Sequence, residues 1–271
     1  MTKNSNAHYS DEHILYLRNR RKNILKIKIF QIGILIIFGV LWEVSARLRW
    51  IDPFIVSSPS KIFKMLMVLN NSGQLWYHVG ITALETVSGF ILGTLIGITL
   101  AIIIWWSDFL FKILEPYLVV LNALPKVAFG PIILVWLGAG IKSIIMMALF
   151  VSVIIGAISI LSGFKNTSAE KILLMRSFGA TKPQILTKLI IPANIQNIIS
   201  TLKINVGMSL IGVITGEFLS SSKGIGYLIV YGSQVLKLDL VMAGILLLGV
   251  IASAMYFLVS ELEKLYIKHK H

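Results

Sequence analysis

Long apolar runs alternate with short polar, mostly basic stretches along this chain. A bilayer's hydrocarbon core of about 30 Å takes about 20 apolar residues of helix to cross. Runs at 29–46, 84–106, 117–137, 141–164, 198–219 and 240–258 approach or exceed that length. The pattern predicts an all-α membrane protein of about six transmembrane helices. Pro125, Gly130 and Pro131 interrupt the third run, so that span is expected to be broken, and a tight turn at 138–140 separates it from the fourth. In the second run Gly89, Gly93 and Gly97 recur every four residues. They share one helix face and allow two backbones to approach closely, which is how helices associate in lipid.

Two segments are too polar or too short to cross. Residues 1–28 read as a basic cytoplasmic tail with an amphipathic helix near 12–25, and 261–271 as a C-terminal tail; the transmembrane domain is 29–260. After Arg47, Arg49, Asp52 and Pro53 close the first span, Pro59 sits at a helix start and Ile62, Phe63, Leu66 and Met67 follow at helical spacing. With Lys61 and Lys64 in it, this is predicted to be an interfacial helix. Glu85 is placed just before the second span, at the interface.

The loop 165–197 between the fourth and fifth spans is long, but it is not linker-like. Ser168 with Glu170 suits a helix start, and Ile172, Leu173, Met175 and Phe178 give that helix an apolar stripe. Gly179 stops it, because glycine takes positive φ without a Cβ clash. Pro183 suits the first turn of a second helix, with Ile185, Leu186 and Leu189 leading to Pro192. Two short helices meeting at a glycine make a rigid knob through which a soluble motor can move a membrane bundle.

Charge orients the chain. Of its 25 Lys and Arg, sixteen fall on the side of the N-terminal tail, Lys112, the central loop and the C-terminus, and seven on the other. By the positive-inside bias both termini are cytoplasmic. This bias also accounts for the net charge of +13, since the basic residues flank apolar spans rather than forming a stripe for nucleic acid. The first apolar run starts near Ile29, exceeds a signal-peptide core and lacks a small-x-small cleavage site, so no cleavable signal is expected. No cysteine is present, which excludes disulfides and thiolate metal sites. His8, His13, His78, His269 and His271 form no ligand cluster, and no metal site is expected. A phosphate-cradling loop needs glycine, four residues, then Gly-Lys-Ser or Gly-Lys-Thr. The nearest approach, GAGIKS at 138–143, has the wrong spacing, so this chain is not expected to be an enzyme or to hydrolyse ATP.

Gly179, then Leu189, Ile191 and Pro192, resembles the cytoplasmic-loop signature of bacterial binding-protein-dependent ABC importer permeases. RSFGAT at 176–181, GEFLSSSKGIGYLI at 216–229, ALPKVAFGPIILVWLG at 123–138 and ETVSGFILGTLIGI from residue 85 look like the nitrate, sulfonate and taurine branch of that family. The resemblance covers nearly all of the chain after about residue 30. It implies a type I ABC importer permease fold, a homodimer in the bacterial inner membrane, two ATP-binding subunits docked on the central loop and an extracytoplasmic substrate-binding protein. ATP and Mg would sit on the partner ATPase, with no cofactor on this chain. Glu170, Met175, Arg176, Ser177, Phe178, Gly179, Ala180, Thr181, Lys182 and Pro192 are the implied coupling-loop residues. The family usually places a glutamate and two alanines where this chain has Leu173, Leu174 and Met175, so the contact must be made otherwise, through Glu170 or Arg176. Relatives of the branch also carry vitamins and uncharged or cationic pathway precursors, which leaves the substrate class open.

Ionisable and polar residues inside spans are candidates for the substrate path. Glu217 lines the outer mouth, pairs across the bundle, caps the GIGYLI segment or sits at the interface. Lys126, in the broken span with Asn122, either attracts an anion or snorkels toward the cytoplasm. Asn205, Ser209 and Thr215 give the fifth span a polar stripe, for a path or for interhelical hydrogen bonds. A secondary transporter driven by an ion gradient is the rival class. Such proteins carry midplane ionisable residues and internal repeats, and they have no use for a structured cytoplasmic knob.

Overall fold

The computed structural model describes residues 11–270. Lys3, His8 and His271, read above as tail residues, lie outside the described residues, as do the side chains of His13, Arg21, Lys268, His269 and Lys270. The chain divides into two compact units, 1–63 and 64–271.

In the first unit, α1 (Asp11–Arg47) is one continuous helix, and its segment Arg18–Arg47 is long and apolar enough to span. The basic stretch before residue 29 is therefore the start of this helix and not a separate element. Near the end of α1, Glu43 takes the Arg47 Nε–H at 2.7 Å and the Ser60 N–H and hydroxyl at 3.0 and 2.9 Å. Those last two donors belong to the first turn of α2 (Pro59–Asn71), whose leading N–H groups have no helical partner of their own. This helix begins at Pro59, as its sequence predicts.

The second unit is built around α6 (Ile141–Lys165), with α3 (Gln74–Trp106) on one side and α10 (Ile195–Ser220) on the other. Small residues set both spacings. A Cβ on Gly89 would stand 2.6 Å from the Cβ of Ala148, and one on Gly97 would stand 3.3 Å from the Ala157 backbone nitrogen. On the opposite face, a Cβ on Gly212 would meet the Ala148 Cα at 2.5 Å, and one on Gly216 the Ile144 Cα at 2.8 Å. The pairing order shows direction: α3 runs parallel to α6, and α10 runs antiparallel to both.

Parallel α3 and α6 require the chain to return between them. α4 (Asp108–Ala123) and α5 (Gly130–Leu137), joined by a 3-10 turn at Lys126–Phe129, make that return with a 90° bend. Pro125 causes the break. It offers no N–H, and it forces the preceding Leu124 out of the helical region to ψ 139°. Gly138 and Gly140, at φ 75° and 131°, turn the chain into α6. Beyond α10, α11 (Ile225–Gln234) packs on α12 (Leu238–Lys270). α12 extends past residue 260, so the C-terminal tail is helical through Lys270. Among the described residues five helices are long and apolar enough to span, six when the bent pair counts as one crossing.

The second span begins at Gln74 and not at residue 84, which moves Glu85 inside it. Glu85 is buried against protein rather than interfacial.

Candidate functional site

The central loop folds as the glycine-hinged pair. Ser168 caps α7 (Ala169–Ser177), accepting the Lys171 N–H at 3.4 Å. At the far end Gly179 adopts φ 76°. There the Ala180 N–H reaches the Met175 carbonyl at 3.0 Å and the Gly179 N–H that of Arg176 at 2.9 Å. This paired closure is open to glycine because the left-handed conformation crowds any Cβ. The chain then re-enters helix at α8 (Lys182–Ile185), where Gln184 accepts the Thr181 N–H at 2.8 Å.

The second helix runs one residue past Pro192. A π turn at Leu186–Ile190 leads into α9 (Ile191–Ala193), which contains the proline. Proline's ring would clash with a carbonyl four residues back in a regular α-helix, and the wider turn relieves that clash.

Ile185, Leu186 and Ile190 of this helix are buried with Ala101, Ile104, Ile160, Leu161 and Phe164, at the C-terminal ends of α3 and α6. Lys182 donates to the Trp106 carbonyl at 2.7 Å, Asn194 Nδ2 to the Thr167 hydroxyl at 2.7 Å, and Asn197 Nδ2 to the Ser159 carbonyl at 3.0 Å. The knob is thus pinned to the bundle's end by apolar packing and hydrogen bonds together. The apolar stripe expected on α7 divides in two. Ile172 and Met175 pack on this core, while Leu173, Leu174 and Phe178 are exposed, Phe178 at 80%. At 100° per residue, positions 173, 174 and 178 point away from 172 and 175.

At the opposite end of the bundle a polar cluster joins α3, α10 and α11. Glu217 is 1% exposed. It accepts the Thr82 hydroxyl at 2.7 Å and the Gly226 N–H in the first turn of α11. The Ile225 N–H reaches Thr82 Oγ1 at 2.8 Å. His78 Nδ1 lies 3.0 Å from both the carbonyl and the amide nitrogen of Gly224, its Nε2 lies 3.0 Å from Gln74 Oε1, and its ring stacks on Tyr227. The Glu85 carboxyl is buried near that of Glu217. Further along the same seam, Asn205 Nδ2 reaches Thr94 Oγ1 at 3.3 Å, and Ser209 is fully buried. Asn205 Oδ1, Ser209 Oγ and Glu85 Oε2 are buried without a partner.

Residues 93–268 match the family model described as "Binding-protein-dependent transport system inner membrane component". The chain belongs to this family. A probable ABC transporter permease protein of Haemophilus influenzae is 31% identical over 226 residues, covering 82% of this chain and 91% of that protein. The taurine transport system permease protein TauC of Escherichia coli is 26% identical over 229 residues, covering 82% of each. Among solved structures, a chain of the MetNI methionine ABC transporter in an inward-facing conformation aligns with a TM-score of 0.56 at 17% identity. It covers 73% of this chain and 94% of that one. The fold is that of a type I ABC importer permease.

In this permease the residues expected to form the coupling loop gather on one knob. Glu170, Met175, Arg176, Ser177 and Phe178 lie on or just past α7, Gly179, Ala180 and Thr181 form the hinge, and Lys182 and Pro192 lie on the second helix. The path candidates do not form one group. Asn205, Ser209 and Glu217 are buried on the face of α10 toward α3, and Thr215 is half-buried and bonded to the Ile211 carbonyl at 2.8 Å. Glu217 caps the GIGYLI helix and pairs across the bundle at once. Asn122 and Lys126 belong to the 90° bend, where Lys126 Nζ donates to the Asn122 carbonyl at 2.7 Å. The sequence reading missed His78 and Thr82. Their signal was available: His78, Thr82, Glu85 and Thr86 recur at helical spacing in one apolar run, on the face that Gly89 continues.

Proposed function

We propose that this permease is the membrane subunit of an ATP-driven importer for a small sulfonate-, taurine- or nitrate-like solute, and that it works as a homodimer. Two ATP-binding subunits grip the α7–α9 knob, and ATP with its Mg stays on them. A binding protein delivers solute from the other face, and both termini are cytoplasmic. Closure of the ATPases on ATP draws the knobs together and opens the path outward, and hydrolysis resets it. One observation carries this reading. The knob is fixed to the ends of α3 and α6 by a buried core, yet it turns Leu173, Leu174 and Phe178 outward. An apolar face held rigidly at the end of a bundle is suited to receiving force from another protein. The solute class draws support from the similarity to the taurine permease.

The test is uptake into proteoliposomes holding the permease, its ATPase and its binding protein. Taurine, an alkanesulfonate and nitrate are compared with an uncharged pyrimidine precursor and a vitamin. Vanadate-sensitive accumulation of one of the first three is expected. Preference for the precursor or vitamin would overturn the solute class alone. Accumulation driven by an ion gradient without the ATPase would overturn the whole reading.

A further inference from the structure

Two cavities meet where the knob joins the bundle. The first, of about 150 Å³, is bounded by the ends of α3 and α6, the start of α4, and the helices α7 and α8. Lys165, Arg176 and Lys182 converge on it, with Asp108 the only acid in its lining and Trp105 forming part of the wall. Lys165 pairs with Asp108 and Lys182 donates to the Trp106 carbonyl. Arg176 makes no ion pair with any described residue. The cavity therefore carries net positive charge, with the unpaired Arg176 guanidinium in its wall.

The second cavity, of about 280 Å³, lies between α4 and α6 and is also lined by Lys165. Its walls are mainly apolar, from Phe111, Leu118, Val119, Ile158 and Leu161, with Glu115 and Ser162 also in its lining. A basic chamber and an apolar groove that share one lysine at the end of membrane helices match the two halves of an amphiphile. A soluble anion would use only the first.

We propose that this pair of cavities binds one anionic phospholipid, its phosphate against Arg176, Lys182 and Lys165 and an acyl chain along the α4–α6 groove. A guanidinium suits phosphate oxygens because its donors form a planar fork. Basic pockets between membrane helices attract anionic headgroups where the leaflet is negatively charged. The lipid would sit beneath α7, so its occupancy would brace the knob from behind while Leu173 and Phe178 remain free on the other side. The proposal rests on the functional reading only for the leaflet, cytoplasmic, that supplies the lipid.

The test is native mass spectrometry of the full-length permease, purified with any subunits it retains. It is exchanged against phosphatidylglycerol or phosphatidylcholine with identical acyl chains. Preferential retention of phosphatidylglycerol is expected. Each lost cation in the double variant Arg176→Gln/Lys182→Gln should weaken retention about fivefold, while Lys142→Gln, an exposed control, changes nothing. Val119→Glu should weaken both lipids alike. Unchanged retention in the double variant would overturn the proposal, and so would displacement of the lipid by inorganic phosphate, which would mark a site for free anions. Loss of bound lipid when the ATPase docks would assign the basic cavity to the ATPase instead. Co-purification of the ATPase is scored on the same samples. A permease that keeps its lipid preference but recruits no ATPase would count against the proposed function and leave the lipid site standing.

Discussion

Thr82 donates its hydroxyl to Glu217 at 2.7 Å across 135 residues of sequence, and the same oxygen accepts the Ile225 N–H at 2.8 Å. One side chain of α3 thereby fixes both the end of α10 and the start of α11. Glu217→Ala would strand the Thr82 hydroxyl and the Gly226 N–H without an acceptor in a buried site, at a cost of about 2–4 kcal/mol. Glu217→Gln keeps an acceptor and should lose less than half of that. Glu85→Gln keeps the shape of the side chain, breaks no hydrogen bond to Thr82 or Gly226, and should melt close to the parent. Thermal unfolding of the purified proteins in detergent gives the order Glu85→Gln, Glu217→Gln, Glu217→Ala. Equal melting of Glu217→Ala and the parent would show that the cluster does not hold these helices together.

The glycine seams predict a position-specific response. A methyl at Gly212 meets the backbone of α6 at 2.5–2.9 Å, whereas one at Gly207, on the same helix, meets nothing within 4 Å. Backbone cannot step aside as a flexible side chain can, so Gly212→Ala should cost about 1–3 kcal/mol. Gly207→Ala should be neutral or slightly stabilising through helix propensity. Melting temperatures of the two variants, measured side by side, check this.

The glycines were legible before the structure because small residues every four positions have one use in a lipid-embedded helix. The Gly179 hinge was legible for a comparable local reason, the Cβ penalty at positive φ. Glu85 was misplaced because the second apolar run was started near residue 84, whereas its helix begins at Gln74. Its burial comes with the packing of α3 on α10, two segments distant in sequence. His78 shares a helical stripe with Thr82, Glu85 and Gly89, but the partner that holds it, Gly224, lies 146 residues away. The helix up to Pro192 is legible in the sequence, but the π turn that accommodates the proline has no composition of its own. The division of α7 follows from angular position, with 172 and 175 on one side of the helix and 173, 174 and 178 on the other.

The two faces of α7 should separate fold from coupling. Phe178 is exposed and contributes little to the permease's own stability, so Phe178→Ser should shift unfolding by less than about 0.5 kcal/mol. The same variant should reduce recruitment of the ATPase, measured by co-purification, because it removes the largest apolar group the knob presents. Ile172 packs on the core at the ends of α3 and α6, and Ile172→Ser should destabilise by about 1–3 kcal/mol. If Phe178→Ser recruits the ATPase as the parent does, the exposed face of α7 is not where force enters.

Gly179 isolates backbone conformation from packing. At φ 76° a Cβ there would touch nothing within 4 Å, so any penalty comes from the left-handed conformation itself, about 1–2 kcal/mol for an ordinary residue. That cost is small beside the stability of a bundle held by two glycine seams, and the spans should insert and assemble as before. Within the knob it is decisive, because an alternative φ would redirect α7 relative to α8 and break the two hydrogen bonds closing on Met175 and Arg176. Gly179→Asn, which tolerates this region, should retain most uptake. Gly179→Val, branched at Cβ, should abolish uptake while leaving membrane insertion and the melting temperature nearly unchanged. Gly179→Pro should do the same, since its φ is fixed near −65°. Uptake in proteoliposomes, compared with the amount of folded permease in the same membranes, reads both halves of the expectation. Full transport by the valine variant would mean that the angle between the two short helices is not what carries motion into the bundle.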